Sequence, residues 1–244
     1  MAHPFPAALP HGELREILPD LFVVTGTLRM AAPIRFSRNM TVVREGKRLV
    51  LVNTVRLDDG GLAALDRLGV VSDVIRLAAN HGMDDPFYQD RYKVKVSCVK
   101  GQRYTAGLKT DAPETYFTPD VELEPTSPLP ITGAKLYTIH STPPEGLLVL
   151  PHHGGTIISG DCLQNWAAPD QYFSFLAKPV MKVMGFLKPY NIGPGWLKSG
   201  KPPKDDLRAI IDLPFVNVLP AHGEPVIGRA AELYRPALER VSHA

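Results

Sequence analysis

Residues 70–85 read Val-Val-Ser-Asp-Val-Ile-Arg-Leu-Ala-Ala-Asn-His-Gly-Met-Asp-Asp, an aliphatic and β-branched run that turns abruptly polar at Asn80-His81. A short apolar run bounded by a turn-forming cluster reads as a strand buried on both faces. Two later stretches repeat the pattern: Thr156–Ser159 runs into Gly160-Asp161, and Phe215–Leu219 runs into Pro220-Ala221-His222-Gly223. A fourth strand, Lys135–Ile139, ends at His140 and is followed by Ser-Thr-Pro-Pro, which forces an extended or turning chain. Open α/β sheets bind ligands beyond the carboxyl ends of their strands, where backbone groups are free of ladder pairing. Histidine and aspartate delivered repeatedly to such ends are expected to form one site, comprising His81, Asp85, His140, Asp161 and His222.

Working outward, further strands are read at Leu21–Leu28, Met40–Arg44, Leu49–Val55, Lys93–Val99 and Leu147–Leu150. Helical spacing appears at Gly60–Leu68, where Leu62, Leu65 and Leu68 share a face, at Asp205–Leu213 and at Gly228–Val241. Strands interleaved with helices favour a mixed sheet system covered by helices. Gly101 to Pro130 reads as a long irregular connection, and His152-His153 as an exposed hairpin turn between two strands. Residues 167–204 carry an apolar stripe (Tyr172, Phe173, Leu176, Val180, Met184, Leu187) and then a Gly/Pro/Lys-rich loop. This segment is expected to be an inserted helical hairpin or lid, with core packing or a homodimer contact through residues 172–187 as the alternative.

Composition bounds the rest. A chain of 244 residues with 44% hydrophobic and 21% charged residues is long enough to bury a core without staples, and a single domain over residues 1–244 is expected. Cys98 and Cys162 are too few for a disulfide framework; Cys162 reads either as apolar filler or as a thiol at the site. A net charge of +2 gives no electrostatic reason to expect nucleic acid. The lysines between Lys178 and Lys204 read as a solvated face or as an attractor for an anionic substrate. With no membrane-length apolar run and no signal-like start, a cytoplasmic protein acting on a small molecule is the expectation.

These residues resemble the metallo-β-lactamase superfamily. The superfamily pattern is Asp-Thr-Gly after a strand, His-x-His-x-Asp-His, a lone His in a Gly/Pro-rich turn, Gly-Asp, and a late His beside Gly. Here LVLVNTV, AANHGMDDP, TIHSTPPEG, IISGD and LPAHGEP stand at those places, and FSRNMTVVR, HGMDDPFY and GD followed by QNW look like a domain family of unknown function within it. The resemblance implies an αββα sandwich of two facing mixed sheets with outer helices. It also carries departures: Met83 and Pro86 stand where two histidines belong, and Asn53 where an aspartate does.

Each of two metal positions has therefore lost an imidazole, so at most one zinc or iron ion per chain is expected. The set His81, His140 and Asp161 is expected to hold it, with Asp85 and His222 as proton-handling catalytic groups. The resulting reading is a metal-dependent hydrolase with an incomplete, mononuclear site. The alternatives are a metal-free binding or regulatory module of the same fold, and a mononuclear-iron oxidoreductase sharing the same ligands.

Overall fold

The structure, a computed structural model, describes residues 5–31, 33–105 and 114–243. The first sheet contains β1 (Arg15–Leu18), β2 (Leu21–Ala31), β3 (Ile34–Glu45), β4 (Arg48–Val52), β5 (Val70–Arg76) and β6 (Lys95–Val99). After the small pair β7 (Tyr104–Thr105) and β8 (Thr115–Phe117), β9 (Val121–Leu123) completes it in the order β1-β2-β3-β4-β5-β6-β9. Pairing is antiparallel from β1 to β4 and parallel from β4 onward. The second sheet runs β10 (Lys135–Ile139), β11 (Glu145–Leu150), β12 (Thr156–Ser159) and β15 (Asn217–Pro220), the last pair being parallel. Between them in sequence, β13 (Leu163–Gln164) pairs with β14 (Asn191–Ile192).

The period-two alternation of buried strands explains the layering. Along β4, Leu49 and Leu51 face a cluster with Leu62, Leu65, Phe87 and Tyr88, whereas Val50 and Val52 face the opposite way. Those two join Ile75, Leu77 and Val99 of the first sheet and Leu136, Leu148, Leu150, Ile158 and Leu219 of the second in one inter-sheet core. On β11 the alternate residues Leu147 and Val149 turn outward, to Leu207, Ile210, Tyr234 and Leu238. Two mixed sheets thus share an apolar interior while each outer face is covered by helices, the αββα sandwich.

The helices form for local reasons. In α1 (Asp59–Leu68), Asp58 caps the first turn by accepting from the Gly61 amide, and Leu62 and Leu65 bury one face. Next, α2 (Asp85–Tyr92) begins with Pro86 in its first turn, where no amide partner is lost. Further on come α3 (Ala177–Val183), α4 (Pro194–Gly200), α5 (Lys204–Ala209) with a following 3-10 turn at Ile210–Asp212, and α6 (Ala230–His243). In α6, Ala230, Tyr234, Ala237 and Leu238 recur at helical spacing and seal the second sheet.

Three sequence expectations are corrected. The stretch from Gly101 to Pro130 is not wholly irregular, because Val121–Leu123 finds an open parallel partner edge on β6; residues 106–113 of it lie outside the described residues. The strand expected at Met40–Arg44 extends from Ile34, its early part paired with β2 through the Thr25–Arg29 region. Val70–Ala79 leaves the sheet after Arg76, freeing Leu77–Ala79 to carry His81 beyond the sheet edge. Among the described residues no helix is long and apolar enough to cross a membrane.

Leu148 is fully buried between the sheets. Leu148→Ala is expected to lower unfolding free energy by about 2–5 kcal/mol, through lost apolar burial plus the cavity left behind. Urea denaturation measures it; a change below about 1 kcal/mol would show a looser interior than described.

Candidate metal centre

Three strand ends converge at one sheet edge. His81 follows β5, Asp161 follows β12 and His222 follows β15, and their ligand-type atoms all lie within 4.8 Å of one another. His222 Nε2 is 3.1 Å and His81 Nε2 is 3.5 Å from Asp161 Oδ1. The imidazole centroids of His81 and His222 are 5.0 Å apart. Ligands at about 2.0–2.1 Å from a tetrahedral metal sit about 3.3 Å from one another, so the two imidazole–carboxylate separations match adjacent ligand edges.

The neighbourhood fixes these side chains. His222 Nδ1 stands 3.2 Å from the Ser37 carbonyl, an arrangement that places a proton on Nδ1 and turns Nε2 toward Asp161. Trp166 packs against the His222 ring at 4.6 Å between centroids, while its indole N–H donates to Ser37 Oγ at 3.0 Å. The turn carrying His222 is tied to β3: Asn39 Nδ2 donates to the carbonyls of Pro220 and Gly223, and Ala221 O accepts from the Asn39 amide. Gly223 adopts φ +89°, and a Cβ there would lie 2.0 Å from Asn165 O, so the tight turn requires glycine.

Burial resists ionising Asp161, yet the charge and hydrogen bonding of His81 and His222 outweigh it and hold the carboxyl below its usual range. For His81, burial dominates the attraction of Asp161 and pulls the imidazole pKa down. His81 Nδ1 is buried without a hydrogen-bond partner.

His140 and Asp85 do not join this centre. The His140 side chain is 73% exposed, and both its amide and Nδ1 engage Asp206 Oδ2, at 2.7 and 2.9 Å. The α5 carboxylate holds it outside, and His222, read from sequence as a catalytic group, lies beside His81 and Asp161. Asp85 is fully buried with both oxygens engaged: Thr54 Oγ1 donates to Oδ1 at 2.5 Å and the Tyr104 hydroxyl to Oδ2 at 2.6 Å. Its carboxyl is not among the ligand-type atoms gathered at the centre. Cys162 is buried in the outer apolar layer of the second sheet, consistent with filler.

Two further contributors lie beside the centre: Asn53, which the sequence reading noted only as a departure, and Glu145, which it missed. Asn53, in place of an aspartate, holds the two sheets together at the site edge: its Oδ1 accepts from Leu77 N and its Nδ2 donates to Ser159 O. Glu145, on β11, buries a carboxylate whose Oε1 accepts from Cys162 N at 2.6 Å. The signal for Glu145 was present, an acid opening the aliphatic run Gly146–Leu150, but only its tertiary setting shows that it lies behind Asp161. Phe36, Trp166, Phe173, Ala177 and Met181 form an apolar cluster flanking His222, whereas Trp196 sits across a smaller cavity that includes Asp161 and Glu145. The lysines at 178, 182, 188 and 198 are exposed.

No family model and no curated protein sequence matches the chain. Solved structures do. The metallo-β-lactamase FIM-1 from Pseudomonas aeruginosa, in its mono-zinc form, superposes with a TM-score of 0.63 at 15% identity, covering 98% of this chain and 99% of its own. VMB-1 gives 0.64 at 13% identity, over 94% and 97%. A metallo-β-lactamase from Erythrobacter litoralis gives 0.57 at 12% identity, over 95% of each chain. The chain has the metallo-β-lactamase fold along nearly its whole length.

Glu145 generates a test of this environment. Burial first, and repulsion from Asp161 second, push its carboxyl well above the usual range. The native state therefore keeps a proton that the unfolded chain releases above about pH 4.3, and stability falls as pH rises from there toward the raised native value. Glu145→Gln retains the acceptor for Cys162 N without the ionisable group. In chelator, its melting temperature is expected to gain on the wild type as pH rises above about 5. A difference that does not vary with pH would contradict the buried, protonated state.

Proposed function

We propose that the chain is a metal-dependent hydrolase whose single ion is held by His81, Asp161 and His222. The observation that carries this reading is the convergence of two imidazoles and one carboxylate within 4.8 Å at the ends of β5, β12 and β15. Two nitrogens and one oxygen suit zinc, iron or manganese and leave coordination positions open. Held by these residues, an ion would supply Lewis-acid chemistry, making a coordinated water far more acidic and polarising a carbonyl or phosphoryl oxygen.

The chain's own residues prepare the centre. Asp161 supplies the full negative charge, and its separations from the two Nε2 atoms suit a shared ion. The Ser37 carbonyl and the Trp166 face orient His222, so the ring need not reorganise on binding. Asn39 and Asn53 hold the loops in register across both sheets. Phe36, Trp166 and Phe173 exclude water from one side of His222, which strengthens electrostatic interactions within the site.

Protein purified without affinity-tag metal is expected to carry about one ion per chain by elemental analysis. His81→Ala, Asp161→Asn and His222→Ala should each lower metal affinity by at least about tenfold, while His140→Ala leaves it unchanged. Zinc or manganese supports the hydrolase. Iron would favour the oxidoreductase reading, and protein that binds no metal on reconstitution would favour a binding module.

A further inference from the structure

A second group of charged residues surrounds a separate cavity. The cavity, of about 240 Å³, is lined by residues including Arg29, Arg38, Arg56, Met83 and Asp84. The Arg38 side chain is only 4% exposed and pairs through Nη2 with Asp84 Oδ2, but its Nε and Nη1 have no hydrogen-bond partner. Arg56 repeats the pattern: its Nε and Nη1 are also buried and unpartnered. Its guanidinium lies 3.0 Å from the centroid of the Phe87 ring, and burial pulls its pKa below the usual value. Asp84 Oδ2 also accepts from the Arg56 amide, leaving this carboxylate as the only acidic group among the lining residues, set against three guanidiniums.

Unmade hydrogen bonds on a buried charged group are costly, and proteins retain them where a ligand completes them. Guanidinium forks match the paired oxygens of carboxylate and phosphate and are weakly hydrated, which suits them to partly buried anion sites. The cavity also adjoins the metal centre along two chain paths. Arg38 follows Ser37, whose carbonyl contacts His222, and Met83 and Asp84 follow His81 by two and three residues.

We propose that this cavity is an oxyanion subsite, in which Arg38 and Arg56, with Arg29 at the rim, hold a carboxylate or phosphate group of the substrate. That the bound molecule is the substrate rests on the hydrolase reading; the anion site itself does not. Met83, 45% exposed and unbranched, forms a wall that shifts to admit the group. The position that resembles a metal-binding histidine in sequence thus lines the anion cavity.

The test titrates inorganic phosphate and acetate separately into chelator-treated protein at low ionic strength, following the arginine Nε–H resonances by NMR. A saturable shift of the Arg38 or Arg56 signal by either anion supports the site, and the anion that saturates identifies the substrate group as phosphoryl or carboxylate. Affinity should fall at least about tenfold in Arg38→Met and in Arg56→Gln, as expected when a charge-assisted hydrogen bond is lost. In His81→Ala anion affinity should remain within about twofold of wild type, so a failed metal site leaves this result readable. Should Arg38→Met not fold, the Arg56→Gln comparison decides alone. No saturable shift with either anion, or wild-type affinity in the folded arginine variants, would overturn the proposal.

Discussion

The constraint on which the site depends is the near-burial of Asp161, whose side chain is only 13% exposed. A carboxylate withdrawn from water at the end of a strand must find compensating charge or hydrogen bonds, or take up a proton. Here His81 and His222 supply that compensation, and both arrive from strands other than the one carrying Asp161. The requirement links the first sheet to the second: β5 must deliver one imidazole and β15 the other to the same point beside β12. Glu145, buried behind Asp161, reinforces the logic, since two carboxylates so placed cannot both ionise cheaply.

Around that point the polar groups divide into those that tie backbone and those that wait for a partner. The Nδ2 groups of Asn39 and Asn53 donate to backbone carbonyls on the opposite side of the sandwich. Asp85 is likewise consumed, by Thr54 and Tyr104. By contrast, His81 Nδ1 and the unpaired nitrogens of Arg38 and Arg56 have buried donors or acceptors without partners. Engaged groups make the edge rigid, while unengaged ones give it chemical capacity.

Much of the fold was legible in the chain. Aliphatic runs at Leu49–Val55, Val70–Ala79 and Leu147–Leu150 read as strands which, interleaved with helical segments, pointed to a mixed sheet system covered by helices; the two-layer sandwich came from the family resemblance. The leucine spacing of α1 and the apolar face of α6 were equally plain, because helical periodicity is a local property. The short β9 was not, since three residues acquire strand character only from the partner edge that receives them.

For the site, sequence determined which residues stand at or just beyond strand ends, and so named His81, Asp85, His140, Asp161 and His222 as candidates for one locus. It did not determine which candidates point inward. His140 occupies a strand end like the others, yet Asp206, 66 residues later, holds its ring in solvent. Arg38 carried the opposite ambiguity: an arginine inside a buried strand announces an unusual environment but not its partner, and Asp84 reaches it from another loop. Side-chain direction and charge pairing are non-local, set by which loops the two sheets bring together. The chain alone therefore specified the inventory of the site, and only the tertiary structure decided its membership.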